Sequence, residues 1–201
     1  MKLFQLLPAA MIAIIPLCAH ANFIGFEELG NVSLTGPTIT NQYAGVVFSS
    51  VNGNVNAVSS QNNIGFGLNF LCTSLGSINC TGETILTFDS AVNDLSFWAV
   101  GSNNSGLTAK VDVFTNGVFS TTQDINTGGI FSAPDLVNLA SFAQVTSIRI
   151  YGITDFGGLG WDNFTFTPTE VSSVPLPATL PLMISGLGVF WFSIRRRKME
   201  V

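Results

Sequence analysis

Leu107-Thr-Ala-Lys-Val-Asp-Val-Phe-Thr-Asn-Gly-Val-Phe-Ser-Thr-Thr122 decides the fold class. Val111 and Val113 alternate with Asp112 and Phe114, the two-residue period that a strand shows to its two faces. Asn116-Gly117 then supplies the two residues that a tight hairpin turn prefers, and Val118–Thr122 reads as the returning strand. The same grammar extends outward in both directions. Ile148 and Ile150 oppose Arg149 and Tyr151, and Phe164 and Phe166 oppose Asn163, Thr165 and Thr167. Short β-branched and aromatic runs recur between Gly, Asn and Ser clusters, which is the pattern of a sandwich or barrel. The predicted strands are Phe23–Glu27, Ala44–Ser49, Ile64–Phe70, Glu83–Phe88, Asp94–Val100, Leu107–Thr115, Val118–Thr122, Val145–Tyr151 and Trp161–Thr167. One short helix is expected over Asp135–Phe142, started by Ser132-Ala133-Pro134-Asp135. No helices alternate with the strands, so a parallel α/β sheet is excluded. The fold class expected is all-β: an antiparallel β-sandwich followed by a C-terminal transmembrane helix.

Both ends of the chain read as addresses. Met1 to Ala21 has a lysine at its start, an apolar run from Leu3 to Leu17 and an Ala19-His20-Ala21 cleavage site, so residues 1–21 are a secretory signal and the mature chain starts at Asn22. Residues 22–168 are the sandwich domain. Residues 169–178 are a linker that ends in Val174-Pro175-Leu176-Pro177-Ala178. Residues 179–201 are the transmembrane helix, apolar from Thr179 to Ile194, and a basic tail. Sixteen apolar residues span roughly 24 Å, and basic side chains that reach to the headgroups extend that length. Arg195, Arg196, Arg197 and Lys198 stop transfer and hold that end in the cytoplasm.

The tail, with its Pro-containing motif, its helix with Ser185-Gly186-Leu187-Gly188 and its terminal basic cluster, resembles the PEP-CTERM sorting signal. Leu176 stands where that signal has Glu. The resemblance implies a Gram-negative bacterium, export across its inner membrane, transient anchoring by the tail and processing near the Pro motif by an exosortase-type enzyme. The destination it implies is the cell surface or extracellular matrix.

Composition narrows what the body does. Of 201 residues only 9% are charged. Between the signal and the terminal basic cluster, Lys110 and Arg149 face eleven acids, so no basic surface exists to meet nucleic-acid phosphates. The one histidine, His20, leaves with the signal, which removes Ser-His-Asp triads and His-ligated metals. Cys72 and Cys80 lie in an oxidising compartment and are expected to form a disulfide. Asp155-Phe156-Gly157 matches the kinase metal-binding triplet by chance, since no phosphate loop accompanies it. No two acids are paired by the sequence, so the reading is a non-enzymatic protein, with a glycosidase as the remoter reading.

Ile24-Gly25-Phe26-Glu27-Glu28 opens the body and Gly160-Trp161-Asp162-Asn163-Phe164-Thr165-Phe166 closes it. Together they resemble jelly-roll carbohydrate-binding modules, in which acids of the first and last strands share a structural calcium ion. The resemblance implies Glu27, Glu28 and Asp162 as calcium ligands; the alternative is solvent-facing glutamates and a turn-capping aspartate. Trp98, Trp161, Tyr43 and Tyr151 are the candidate rings for stacking on a polysaccharide; the alternative is that they fill the core.

Overall fold

Among the described residues, ten strands make up the body: β1 (Asn22–Ile24), β2 (Val46–Ser49), β3 (Asn54–Ser59), β4 (Asn69–Ser74), β5 (Thr84–Val100), β6 (Ser105–Thr115), β7 (Val118–Gly128), β8 (Asp135–Asn138), β9 (Val145–Tyr151) and β10 (Gly160–Pro168). The computed structural model describes residues 21–32, 36–59, 67–75 and 79–169. Residues 1–20 of the expected signal, the sorting motif Val174–Ala178, the expected transmembrane helix and Arg195–Lys198 lie outside them. Among the described residues no helix is long and apolar enough to cross a membrane. The body is a compact unit that ends at Glu170, with a hydrophobic core of its own.

Every strand pair is antiparallel, and β5 organises them. Its first part, Thr84–Phe88, lies between β2 and β9. Its second part, Val92–Val100, lies between β10 and β8. One layer therefore runs β2-β5-β9-β6-β7, and the other runs β8-β5-β10-β4-β3, with β1 added on β10. The strands expected at Glu83–Phe88 and Asp94–Val100 are one long strand that passes from layer to layer. Asp94, at a left-handed φ of 54°, marks the irregular stretch of that passage.

Alternation fills the space between the layers. Val111, Val113, Ile148 and Ile150 are fully buried from the first layer, and Leu95, Phe97, Trp161, Phe164 and Phe166 from the second. Aromatic rings tie the layers together. Phe48 of β2 meets Phe164 of β10 at 5.8 Å between ring centres, and Phe88 meets Phe166 at 5.0 Å. Each such buried ring contributes about 1.5–3 kcal/mol of transfer free energy. The hairpin turn is as expected: Asn116 and Gly117 both take positive φ, 51° and 78°.

The expected helix over Asp135–Phe142 is instead β8, followed by a turn. Leu136 and Val137 pair with Trp98 and Phe97, and burial alternates along the strand, with Leu136 exposed and Val137 buried. The edge of β5 takes these residues, and tertiary pairing overrides the Pro134-Asp135 start signal. Strand β3 was not expected, and β4 lies later than the predicted Ile64–Phe70. The disulfide forms: Cys72 on β4 joins Cys80 with their Cα atoms 5.0 Å apart, and with Val58 and Phe70 it makes a small second cluster.

Candidate functional site: an acidic corner and a neighbouring aromatic strip

The first and last strands lie side by side, with Ile24 opposite Phe164. After Ile24 the chain turns through Phe26, a left-handed residue at φ 60° whose ring is fully buried against Phe48 and Phe164. That burial commits the backbone, and the next residues, Glu27–Leu29, form one turn of 3-10 helix rather than the expected end of a strand. Glu27 and Glu28 thereby come close enough to Asp162 of β10 to act on its charge. Asn69 fastens the turn to β4. Its backbone N–H donates to Glu27 Oε1 at 2.9 Å, and its side-chain amide donates to the carbonyls of Phe26 and Gly30 at 3.0 and 2.6 Å. The Tyr43 hydroxyl donates to Glu28 Oε1.

Asp162 is 3% exposed. Its Oδ1 accepts the backbone N–H of Asn163 at 2.7 Å, with Asn163 held at a left-handed φ of 49°. Burial pushes its carboxyl up to about 7; the Glu27 and Glu28 charges push the same way, and the Asn163 N–H only partly opposes them. Burial, and then Glu28, also raise the Tyr43 hydroxyl above its ordinary value. Asn69 Oδ1 is buried with no hydrogen-bond partner in the structure. An unpaired buried acceptor is costly. Among the described residues no three His, Cys, Asp or Glu side chains converge as a ready metal site. Glu27, Glu28 and Asp162 carry hard oxygen donors of the kind calcium takes, but they do not meet at one point. A carboxyl this enclosed has no access to a glycosidic oxygen, so its raised pKa does not make it a general acid for a polymer.

The four candidate rings part company. Trp161 is fully buried against Phe97 and cannot meet a sugar from solution. Tyr43 packs on the core beside Phe26 and Phe48 and is held by Glu28, so it too belongs to the scaffold. The sequence left these two open because alternation does not say which face holds the core. Tyr151 is partly exposed, and the Arg149 guanidinium lies 4.9 Å from its ring centre. Its hydroxyl donates to Asp112 Oδ1, which also accepts from Thr122, while Arg149 makes two bonds to Glu83. These bonds already engage the Tyr151 hydroxyl and the ring face under Arg149. Trp98 is different. It sits half-buried on the outer face of the second layer, between Leu136 of β8 and Asp162 of β10 in direct register. Leu136 is 51% exposed, and the next pair along, Ser96 and Asn138, is polar. An apolar pair beside a polar pair on an open face offers both a stacking surface and hydrogen-bonding groups.

Another buried acid lies away from this corner. Asp155 is 2% exposed, and its carboxylate accepts from Asn103 N at 2.6 Å, Asn103 Nδ2 at 3.2 Å, Asn104 N at 2.9 Å and Gly157 N at 2.9 Å. It clamps two loops together and presents Phe156, 74% exposed, at the surface. The signal was an aspartate that bonds back to its own turn two residues on, hidden by an accidental motif match.

No family model and no curated protein matches this sequence. Solved structures similar to the body include a cyclase from Fischerella sp. TAU, 16% identical, covering 76% of this chain and all of that one, with a TM-score of 0.46. A family 35 carbohydrate-binding module from Clostridium thermocellum is 12% identical over 74% of this chain and 98% of its own, with a TM-score of 0.37. A module of the same family from Paenibacillus barcinonensis is 16% identical over 62% and 98%, with a TM-score of 0.35. Likenesses this remote assign no ligand and no residue role.

Proposed function

We propose that the chain is a non-enzymatic bacterial protein, exported across the inner membrane, whose body binds extracellular polysaccharide. The observation that carries the binding reading is the strip on the second layer: Trp98 and Leu136 in register, with Ser96 and Asn138 beside them. A pyranose packs its C–H face on an indole and hydrogen-bonds at its rim, and this strip supplies both. The signal 1–21 takes the chain out. The apolar run Thr179–Ile194 spans the membrane with Arg195–Lys198 on the cytoplasmic side, until an exosortase-type enzyme cuts near Val174–Ala178.

Calcium belongs to the same reading. Glu27, Glu28 and Asp162 would have to draw together to hold it, and it would supply the positive charge that offsets their repulsion. Asp162 lies directly beside Trp98 across the β5–β10 pairing, so an ion there would stiffen the strip. Affinity electrophoresis of residues 22–170 through a gel containing the producing bacterium's exopolysaccharide tests the binding. The wild type should be retarded, while Trp98→Ala and Leu136→Ser should run free. Because Leu136 is half-exposed, its change leaves the core untouched and guards against a variant that merely unfolds. Retardation unchanged in both variants would remove this strip as the site.

A further inference from the structure

The chain contains two Asn-Gly dipeptides, Asn52-Gly53 and Asn116-Gly117, and the fold holds them differently. We propose that Asn52 is a spontaneous deamidation site of this protein, and that the Thr146 hydroxyl shields Asn116 from the same reaction. In that reaction the Gly amide nitrogen loses its proton and attacks the Asn side-chain carbonyl carbon. A carbon–nitrogen bond forms, ammonia leaves, and the product is a succinimide ring. Water then opens the ring at either carbonyl, leaving aspartate or isoaspartate and one new negative charge. Glycine is the favoured following residue because nothing on its Cα obstructs the approach.

The nucleophile at Asn116 is engaged. The Gly117 N–H donates to Thr146 Oγ1 at 2.9 Å, and the same hydroxyl donates to the Phe114 carbonyl at 3.2 Å. On the other side of the turn the Asn116 N–H donates to the Gln144 carbonyl at 3.1 Å. Attack requires the Gly117 nitrogen to give up its bond and the peptide to swing out of a turn held on both sides. At Asn52 the Gly53 amide has no hydrogen-bond partner among the described residues. Both residues are exposed, and the Asn52 N–H makes only a 3.4 Å contact with Ser50 Oγ. Asn52 lies two residues before Asn54, which pairs with Ser74 of β4. An isoaspartate there adds one backbone atom and one carboxylate at the entrance to β3.

The test is peptide mapping by mass spectrometry of residues 22–170 held at mildly alkaline pH. The rate of the one-dalton gain is measured at both sites. Asn52 should deamidate roughly three- to tenfold faster than Asn116, the factor that one amide hydrogen bond commands. Thr146→Val should raise the Asn116 rate toward that of Asn52 and leave Asn52 unchanged. Thr146→Ser keeps a hydroxyl and should keep Asn116 slow. In concentrated urea the two rates should converge, which identifies the difference as a property of the fold. Similar rates in the folded wild type, or an Asn116 rate that Thr146→Val does not move, would overturn the proposal.

Discussion

Asp155 and Asp162 are the same side chain at the same depth, 2% and 3% exposed, and the fold treats them in opposite ways. Asp155 accepts four N–H donors from two loops, so its charge is answered on the spot. Among the described residues Asp162 accepts one, from its own neighbour, and the charges of Glu27 and Glu28 act on it. Burying a carboxylate is tolerable when hydrogen bonds replace water. Where they do not, the group takes a proton or a cation instead. Asp155 is finished structure, whereas Asp162 keeps its proton to a higher pH than an ordinary aspartate.

The comparison is sharpened most by pH. The folded state raises the Asp162 carboxyl from 3.8 to about 7, so between those values the folded protein holds a proton that the unfolded chain has released. Its stabilising contribution is complete below about pH 4, is lost as the pH rises toward 7, and changes little above that. At about 1.4 kcal/mol per unit, the loss amounts to at most about 4 kcal/mol in metal-free protein. Urea titrations across this range should show the decline in the wild type and flatten it in Asp162→Asn. Asp155→Ala should come next, at about 2–4 kcal/mol, because four N–H groups lose a charged acceptor. The loss should appear at neutral pH as a lower urea midpoint, and a variant as stable as the wild type would mean that Asp155 is not the finished group described here. Calcium follows. An ion held only by the folded state stabilises by about 2.7 kcal/mol at a hundredfold excess over Kd. The rise in melting temperature should appear at pH 7 and fail in Asp162→Asn, whereas magnesium should do little. An equal response to both ions would reduce the effect to screening of an acidic body.

The two aspartates also mark what the sequence reveals. Glu27, Glu28 and Asp162 could be grouped in advance because the opening and closing stretches resemble jelly-roll carbohydrate-binding modules. Asn69 could not, because β4 was expected over Ile64–Phe70 and its loop-side contacts had no pattern to announce them. Asp155 depends on Asn103 and Asn104, some fifty residues away, and nothing local encodes that meeting. The hairpin at Asn116-Gly117 and strand β9 were legible because alternation and turn chemistry are local. Strand β8 was misread because Leu136 and Val137 take their conformation from the partner strand. The rings Trp161 and Tyr43 stayed open between surface and core because a one-dimensional pattern names two faces without saying which is inside.

The most direct test of the account is the binding of exopolysaccharide to residues 22–170, measured with and without calcium in the wild type and in Trp98→Ala. The account predicts retardation of the wild type, weaker retardation after chelation because the Asp162 corner beside the strip loosens, and none in Trp98→Ala. Wild-type binding retained in a folded Trp98→Ala would contradict it.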